Sequence, residues 1–123
     1  MVVMKTFNNI KNILTGQELR AVSSFCDLLK KGAKNNIHAV ILFGSRARGE
    51  GHEDSDVDIL VILKEESYSL KIKIWDCAHK VFNETDIMVS PLVLSLDQFE
   101  KLLTHERLIA VTIQKEGIKL EVE

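Results

Sequence analysis

Short apolar runs divide this chain into strand-like and helix-like stretches. Residues 39–43 and 59–63 are uninterrupted apolar runs of about five residues each, rich in Val, Ile and Leu. Runs of that length are too short for a buried helix and are typical of strands covered on both faces. They predict two buried strands, and the polar segment between them is the first candidate for a functional site.

Helical periodicity occupies much of the remaining sequence. Thr15-Gly16-Gln17-Glu18 has the pattern of a capping box, and the apolar residues at positions 19, 22, 25, 26 and 29 fall on one helix face. Residues 70–74 alternate like a strand, but the apolar spacing from 74 to 82 favours a helix through both stretches. Ser95 or Asp97 is expected to cap a third helix, and a fourth helix ends near Gly117.

A third strand is predicted from about Asp86 to Leu94, and a short fourth strand at 118–122. Pro91 lies inside the third strand, so that strand is expected either to lie at the edge of the sheet or to end at the proline. Strands separated by helices in this way indicate an α/β (α+β) fold, in which a small mixed β-sheet is flanked by helices.

Composition narrows the possibilities without identifying a function. With 123 residues, 46% hydrophobic and 28% charged side chains, residues 1–123 are expected to form a single globular domain. The net charge of −2, without a block of like charges, gives no indication of a nucleic-acid groove. No signal-peptide or membrane-helix pattern is recognisable, and Cys26 and Cys77 are expected to fill the core, so a cytoplasmic location is expected.

Candidate chemistry begins at the second strand. Asp56 and Asp58 are two residues apart, and because side chains alternate across a strand, both carboxylates are predicted on the same face. Two like charges beside a buried strand favour a cation, and Mg²⁺ is commonly held by one or two carboxylates together with substrate phosphates. An acidic turn that only caps the strand is the alternative, and it would be preferred for an isolated Asp-x-Asp.

The first strand is followed by residues suited to phosphate binding. Gly44 allows a phosphate to approach the backbone closely. Ser45 is expected to begin a short helix through Ala47 whose amides face an anion, while Arg46 and Arg48 add positive charge. A lone Gly-Ser marks any turn. The order of strand, Gly-Ser, ten intervening residues, Asp-x-Asp and strand is far more specific than its parts.

This arrangement resembles the signature of the DNA polymerase β-like nucleotidyltransferases, with Gly44-Ser45 followed at the family's spacing by Asp56-Val57-Asp58. Residues 43–49 and 55–61 are most similar to the minimal nucleotidyltransferases of prokaryotes, the antitoxin half of MNT–HEPN toxin pairs. The resemblance implies the polymerase β-like fold and a third carboxylate on a later strand, for which Asp86 is the candidate. An acidic residue that only starts the strand is the alternative for Asp86.

The resemblance also implies a mechanism. Two Mg²⁺ ions held by Asp56, Asp58 and Asp86 would clamp the triphosphate of ATP, with Asp86 nearest the acceptor hydroxyl as the general base. The Gly-Ser pair would hold the β and γ phosphates, and Arg46 or Arg48 would neutralise charge on the leaving pyrophosphate.

The acceptor side of such a reaction is not supplied by so small a chain. Minimal family members transfer AMP from ATP to a tyrosine of a partner HEPN ribonuclease, so the resemblance implies a protein adenylyltransferase that acts as an antitoxin. One alternative is a nucleotidyltransferase that modifies a small molecule or an RNA. The other is a non-catalytic antitoxin that binds and masks its toxin. Neither a membrane nor direct nucleic-acid binding is expected.

Overall fold

The computed structural model describes residues 13–49 and 56–120. Within these two stretches the chain forms four α-helices and four strands. In chain order they are α1 Gly16–Ala33, β1 Ile37–Phe43, β2 Val57–Leu63, α2 Tyr68–Thr85, β3 Val89–Ser95, α3 Leu96–Thr104, α4 Leu108–Glu116 and β4 Ile118–Leu120. A 3₁₀ turn, Lys34–Asn36, joins α1 to β1.

The strands form one mixed sheet in the order β3-β2-β1-β4. Strand β1 runs antiparallel to both β2 and β4, whereas β2 and β3 are parallel. A parallel pair needs a long crossover connection, and α2 supplies it. The two apolar runs singled out in the sequence therefore form the two central strands, as predicted.

Alternation along β1 and β2 explains why residues 39–43 and 59–63 are all apolar. Val40 and Leu42 pack in a cluster with α1 and α2, whereas Ile41 between them packs in a second cluster with α3 and α4. The same alternation holds in β2, where Val61 lies in the first cluster and Leu60 in the second. Helices thus cover both faces of the sheet, so successive side chains of a central strand are buried on opposite sides.

The four longer helices predicted from the sequence are confirmed, and the ambiguous segment at 70–74 lies inside α2. The capping box before α1 is present, and its buried face includes Val22, Phe25, Cys26 and Leu29. The side chain of Tyr68, the first residue of α2, is 78% exposed.

Strand β3 begins later than predicted and does not end at its proline. Asp86 has a left-handed backbone, with φ of 61°, and ends α2, so the strand starts only at Val89. Pro91 lies inside β3, and β3 is at the edge of the sheet. The first of the two alternatives expected for this proline, an edge strand, is therefore the one observed. The Val57 N–H donates to the Met88 carbonyl at 2.9 Å, so the even-numbered residues of β3 direct their peptide groups toward β2. Pro91 therefore stands where an N–H would point away from the sheet.

No helix in the described stretches is both long enough and apolar enough to cross a membrane. Both cysteines are free thiols, with Cys26 buried and Cys77 half-buried.

Candidate active site

Gly44 and Asp58 meet where β1 ends and β2 begins. Phe43 is the register partner of Asp58, and Gly44 follows it directly. Gly44 has a φ of +79°, and a Cβ atom added to it would lie 2.5 Å from the Asp58 Oδ2 atom. Only glycine fits this position. Any other residue would have an unfavourable backbone conformation, and its Cβ atom would collide with the carboxylate. The Asp58 carboxylate therefore lies directly against the backbone that opens the candidate phosphate loop.

The environment of Asp58 disfavours its charged form. Its side chain is half-buried, and burial raises the pKa of the carboxyl group above its ordinary value. The negative charge of neighbouring Asp56 raises that pKa further. A bound cation would offset both the cost of burying the Asp58 charge and its repulsion by Asp56. Carboxylate oxygens such as those of this pair are the ligands that Mg²⁺ prefers. The donor chemistry of the pair thus fits a magnesium ion shared with substrate phosphates.

The loop after Gly44 consists of two successive turns. The Arg48 N–H donates to the Ser45 carbonyl at 3.2 Å, and the Gly49 N–H donates to the Arg46 carbonyl at 3.1 Å. The prediction of a short helix beginning at Ser45 is therefore wrong. Gly49 has a positive φ of 73°, so the two turns do not continue into a helix. Residues 50–55 lie outside the described residues.

The two arginines of this loop have different surroundings. Arg46 is buried, and its Nη1 atom lies 2.7 Å from Oε2 of Glu18 in α1. Arg48 is exposed, and its Nη1 atom lies 3.3 Å from Oε2 of Glu116 at the end of α4. An exposed ion pair of this kind contributes little stability and exchanges readily. Arg46 is thus buried against α1, whereas Arg48 lies at the protein surface.

Asp86 is not gathered with the other two acids. Asp86 is exposed and lies three residues before β3. It ends α2, and its backbone N–H donates a hydrogen bond of 2.8 Å to the Phe82 carbonyl. In the part of the chain that the structure describes, no three His, Cys, Asp or Glu side chains are grouped so that they could hold a metal ion. The structure therefore brings Asp56 and Asp58 together and leaves Asp86 apart.

Two further residues of this region have no role in the sequence analysis. Ser90 is the register partner of Asp58 on β3, and because paired residues of neighbouring strands face the same side, its hydroxyl shares the face of the Asp58 carboxylate. Placing the strand start at Asp86 concealed this register. Glu18 appeared only as part of a capping box, because nothing in the sequence relates it to Arg46, 28 residues further on.

Residues 27–120 match the family model described as polymerase beta, nucleotidyltransferase. That match spans both candidate motifs and three quarters of the chain, so this protein belongs to the polymerase β-type nucleotidyltransferase family. The family and fold class expected from the sequence are thereby confirmed.

Two relatives from Methanocaldococcus jannaschii extend this result. "Putative protein adenylyltransferase MJ0141" is 43% identical over 61 residues, which are 49% of this chain and 62% of that protein. "Putative protein adenylyltransferase MJ0604" is 32% identical over 84 residues, which are 68% of this chain and 80% of that protein. The chain thus matches less than two thirds of the first relative and most of the second.

The fold is also similar to solved structures. Two crystal structures of mutants of the toxin–antitoxin pair MntA–HpeT superpose with TM-scores of 0.53 and 0.51, at 18% and 20% sequence identity. The superpositions cover 85% and 86% of this chain and 72% of each matched chain. At that level of identity the similarity concerns the fold.

Proposed function

We propose that this protein transfers AMP from ATP to a hydroxyl group of a partner protein, and that the modification makes it the antitoxin of a toxin–antitoxin pair. The acceptor in this proposal is a tyrosine of a HEPN ribonuclease toxin. The observation that carries the proposal is the contact between Gly44 and Asp58. It places a carboxylate suited to binding magnesium beside a loop suited to binding phosphates. The names of the relatives, and the toxin–antitoxin pair with the same fold, support the choice of acceptor.

The phosphate loop is the first part of the proposed mechanism. Gly44 presents bare backbone to the triphosphate, and Ser45 supplies a hydroxyl donor for the β and γ phosphates. The guanidinium of Arg48 is exposed. In this proposal it dissociates from Glu116 and neutralises the negative charge of the departing pyrophosphate. Arg46, which the sequence left as an equal candidate for that role, remains bound to Glu18.

The carboxylates are the second part. Asp56 and Asp58 would hold magnesium jointly with the nucleotide, and two ions are proposed as in other two-metal sites. When bound, magnesium would orient the α-phosphate and stabilise charge on the phosphate oxygens. The acceptor oxygen forms a bond to the α-phosphorus, the bond from that phosphorus to the bridging oxygen breaks, and pyrophosphate leaves with both electrons. The acceptor proton passes to a general base.

Asp86 is the proposed general base, and its position makes that assignment testable. Its carboxylate is exposed at the end of α2, three residues before β3, and outside any described three-acid group. Asp86→Asn should reduce AMP transfer about 100-fold or more while leaving ATP binding unchanged, since a base acts only on the acceptor proton. Transfer within threefold of the unchanged protein would remove Asp86 from the mechanism.

Intact-mass spectrometry of the toxin tests the function as a whole. A HEPN ribonuclease tested as the candidate toxin is incubated with this protein, ATP and Mg²⁺, and should gain the mass of one AMP. The double variant Asp56→Ala, Asp58→Ala should add none, whereas Asp76→Ala, on the exposed surface of α2, should act like the unchanged protein.

Other outcomes identify the alternative functions. Pyrophosphate release without an adduct on the toxin would indicate a small-molecule or RNA acceptor. Toxin neutralisation by the double variant, with no adduct on either protein, would indicate a masking antitoxin.

A further inference from the structure

Arg46 and Glu18 form an ion pair inside the protein. Their side chains are 8% and 4% exposed, and the Nη1 and Oε2 atoms are 2.7 Å apart. Arg46 lies two residues after Gly44 in the candidate phosphate loop, whereas Glu18 lies in the first turn of α1. The pair thus joins the loop to an element distant from it in sequence.

The two oxygens of the Glu18 carboxylate have separate tasks. Oε1 accepts a hydrogen bond of 2.8 Å from the Thr15 N–H, and the Glu18 N–H donates to Thr15 Oγ1 at 3.1 Å. These two bonds are the capping box of α1, and a glutamine can make both of them. Oε2 is left for Arg46, and that contact requires the negative charge.

The same turn of α1 also reaches the far side of the site. Gln17 Nε2 donates a hydrogen bond of 2.6 Å to the Thr85 carbonyl, at the last residue of α2. Asp86 follows immediately. The first turn of α1 therefore holds both the phosphate loop, through Glu18, and the segment that carries Asp86, through Gln17.

We infer that Glu18 is a positioning residue of the nucleotide site: by binding Arg46 it holds Ser45 and Gly44 in the conformation that receives the phosphates. The inference rests on the proposed function. Stability alone does not explain the pair, because a buried ion pair contributes little net free energy of folding compared with apolar side chains of similar size. The two turns of the loop are closed by hydrogen bonds between residues of the loop itself, whereas the ion pair with Glu18 joins the loop to α1.

Glu18→Gln tests the inference because it removes the charge for Arg46 and keeps the capping box. The dissociation constant of ATP in the presence of Mg²⁺ is measured by isothermal titration calorimetry at 25 °C, beside urea unfolding of each variant. ATP should bind about tenfold more weakly to Glu18→Gln. Thr15→Ala is the matched control, because it damages the cap and keeps the ion pair. It should lower stability and change ATP affinity less than twofold.

The double variant Glu18→Gln, Arg46→Met separates positioning from stability. It removes both charges of the Glu18–Arg46 pair, and methionine replaces the stem of the arginine, so its stability should exceed that of Glu18→Gln. ATP affinity should stay about tenfold below that of the unchanged protein, because the anchor is still absent. This variant also decides the question if Glu18→Gln does not fold at 25 °C.

The outcomes distinguish the inference from the function on which it rests. ATP affinity within twofold of the unchanged protein in the double variant would overturn the positioning role. An unchanged protein that does not bind ATP with Mg²⁺ would instead overturn the proposed function.

Discussion

A single backbone position, Gly44, joins the two motifs of the site. Its positive φ alone makes any other residue unfavourable by about 1–2 kcal/mol, and the contact with Asp58 Oδ2 adds a collision. Gly44→Ala should therefore lower the free energy of unfolding by at least about 2 kcal/mol and abolish nucleotide binding. Urea denaturation and calorimetric titration with ATP measure the two effects.

Gly32 provides the matched control for that substitution. It lies in α1, its φ is not positive, and an added Cβ would meet nothing within 4 Å. Gly32→Ala should raise the free energy of unfolding by about 0.5–1 kcal/mol, because alanine loses less conformational entropy in a helix. If both variants changed stability alike, the special role of Gly44 would be wrong.

At this scale the sequence revealed local motifs and missed contacts between distant residues. Gly44, Ser45, Asp56 and Asp58 were recognisable because they flank two strands that are consecutive in the chain. The pairing of Arg46 with Glu18 depends on how α1 lies across the sheet, which no local pattern specifies. Asp86 was expected to begin a strand but instead ends α2, and its left-handed backbone is a property of that helix end.

At the scale of elements, Ser95 joins β3 to α3. It is the last residue of the strand and the N-cap of the helix, and its hydroxyl accepts the Gln98 N–H at 3.1 Å while Gln98 Oε1 accepts the Ser95 N–H at 2.8 Å. Ser95→Ala should lower the free energy of unfolding by about 1 kcal/mol, the usual cost of a lost N-cap. Urea denaturation checks the value.

Thr104, at the other end of α3, serves as the control. Its hydroxyl also donates a hydrogen bond, to the Glu100 carbonyl at 2.9 Å, but that bond is exposed to water. Thr104→Ala should change stability by less than about 0.5 kcal/mol. Equal losses in the two variants would mean that the cap has no special importance.

Periodicity and capping patterns predicted the four α-helices and the four strands. They predicted where these elements begin and end less accurately. The helical spacing after residue 74 correctly outweighed the strand-like alternation at 70–74, because α2 buries only one face. The beginning of β3 was misplaced because apolar residues follow Asp86 without interruption, so no composition change marks where the helix end becomes a strand.

At the scale of the whole molecule, Cys26 reports on global unfolding. Burial, and to a smaller extent the charge of Asp27, raises the pKa of its thiol from 9.0 to about 12. At pH 8 about one folded molecule in ten thousand would carry the reactive thiolate. In a Cys77→Ser background, Cys26 should therefore react with a thiol reagent only as fast as the protein unfolds, followed by mass spectrometry.

The same thiol predicts a dependence of stability on pH. Between pH 9.0, where the unfolded thiol ionises, and pH about 12, the unfolded chain binds fewer protons than the folded one, so the free energy of unfolding falls as the pH rises. Cys26→Ala should show a smaller decrease than the unchanged protein across this range in urea denaturation. Equal decreases, or labelling of Cys26 at a rate independent of urea, would contradict the buried position of the thiol.

The layered arrangement around the sheet follows from the sequence once the strand order is known. The apolar runs 39–43 and 59–63 of the two central strands require cover on both faces, and the four helices provide it. The strand order itself was not deducible, because several orders would bury the same residues equally well.

Pro91 has a consequence for how molecules of this protein meet. The outward-facing residues of β3 form the row to which a strand of another chain could attach, and the proline in the middle of that row has no N–H to offer. An incoming strand would lose its register bond halfway along these seven residues. The proline thus disfavours extension of the sheet by a second molecule at this edge.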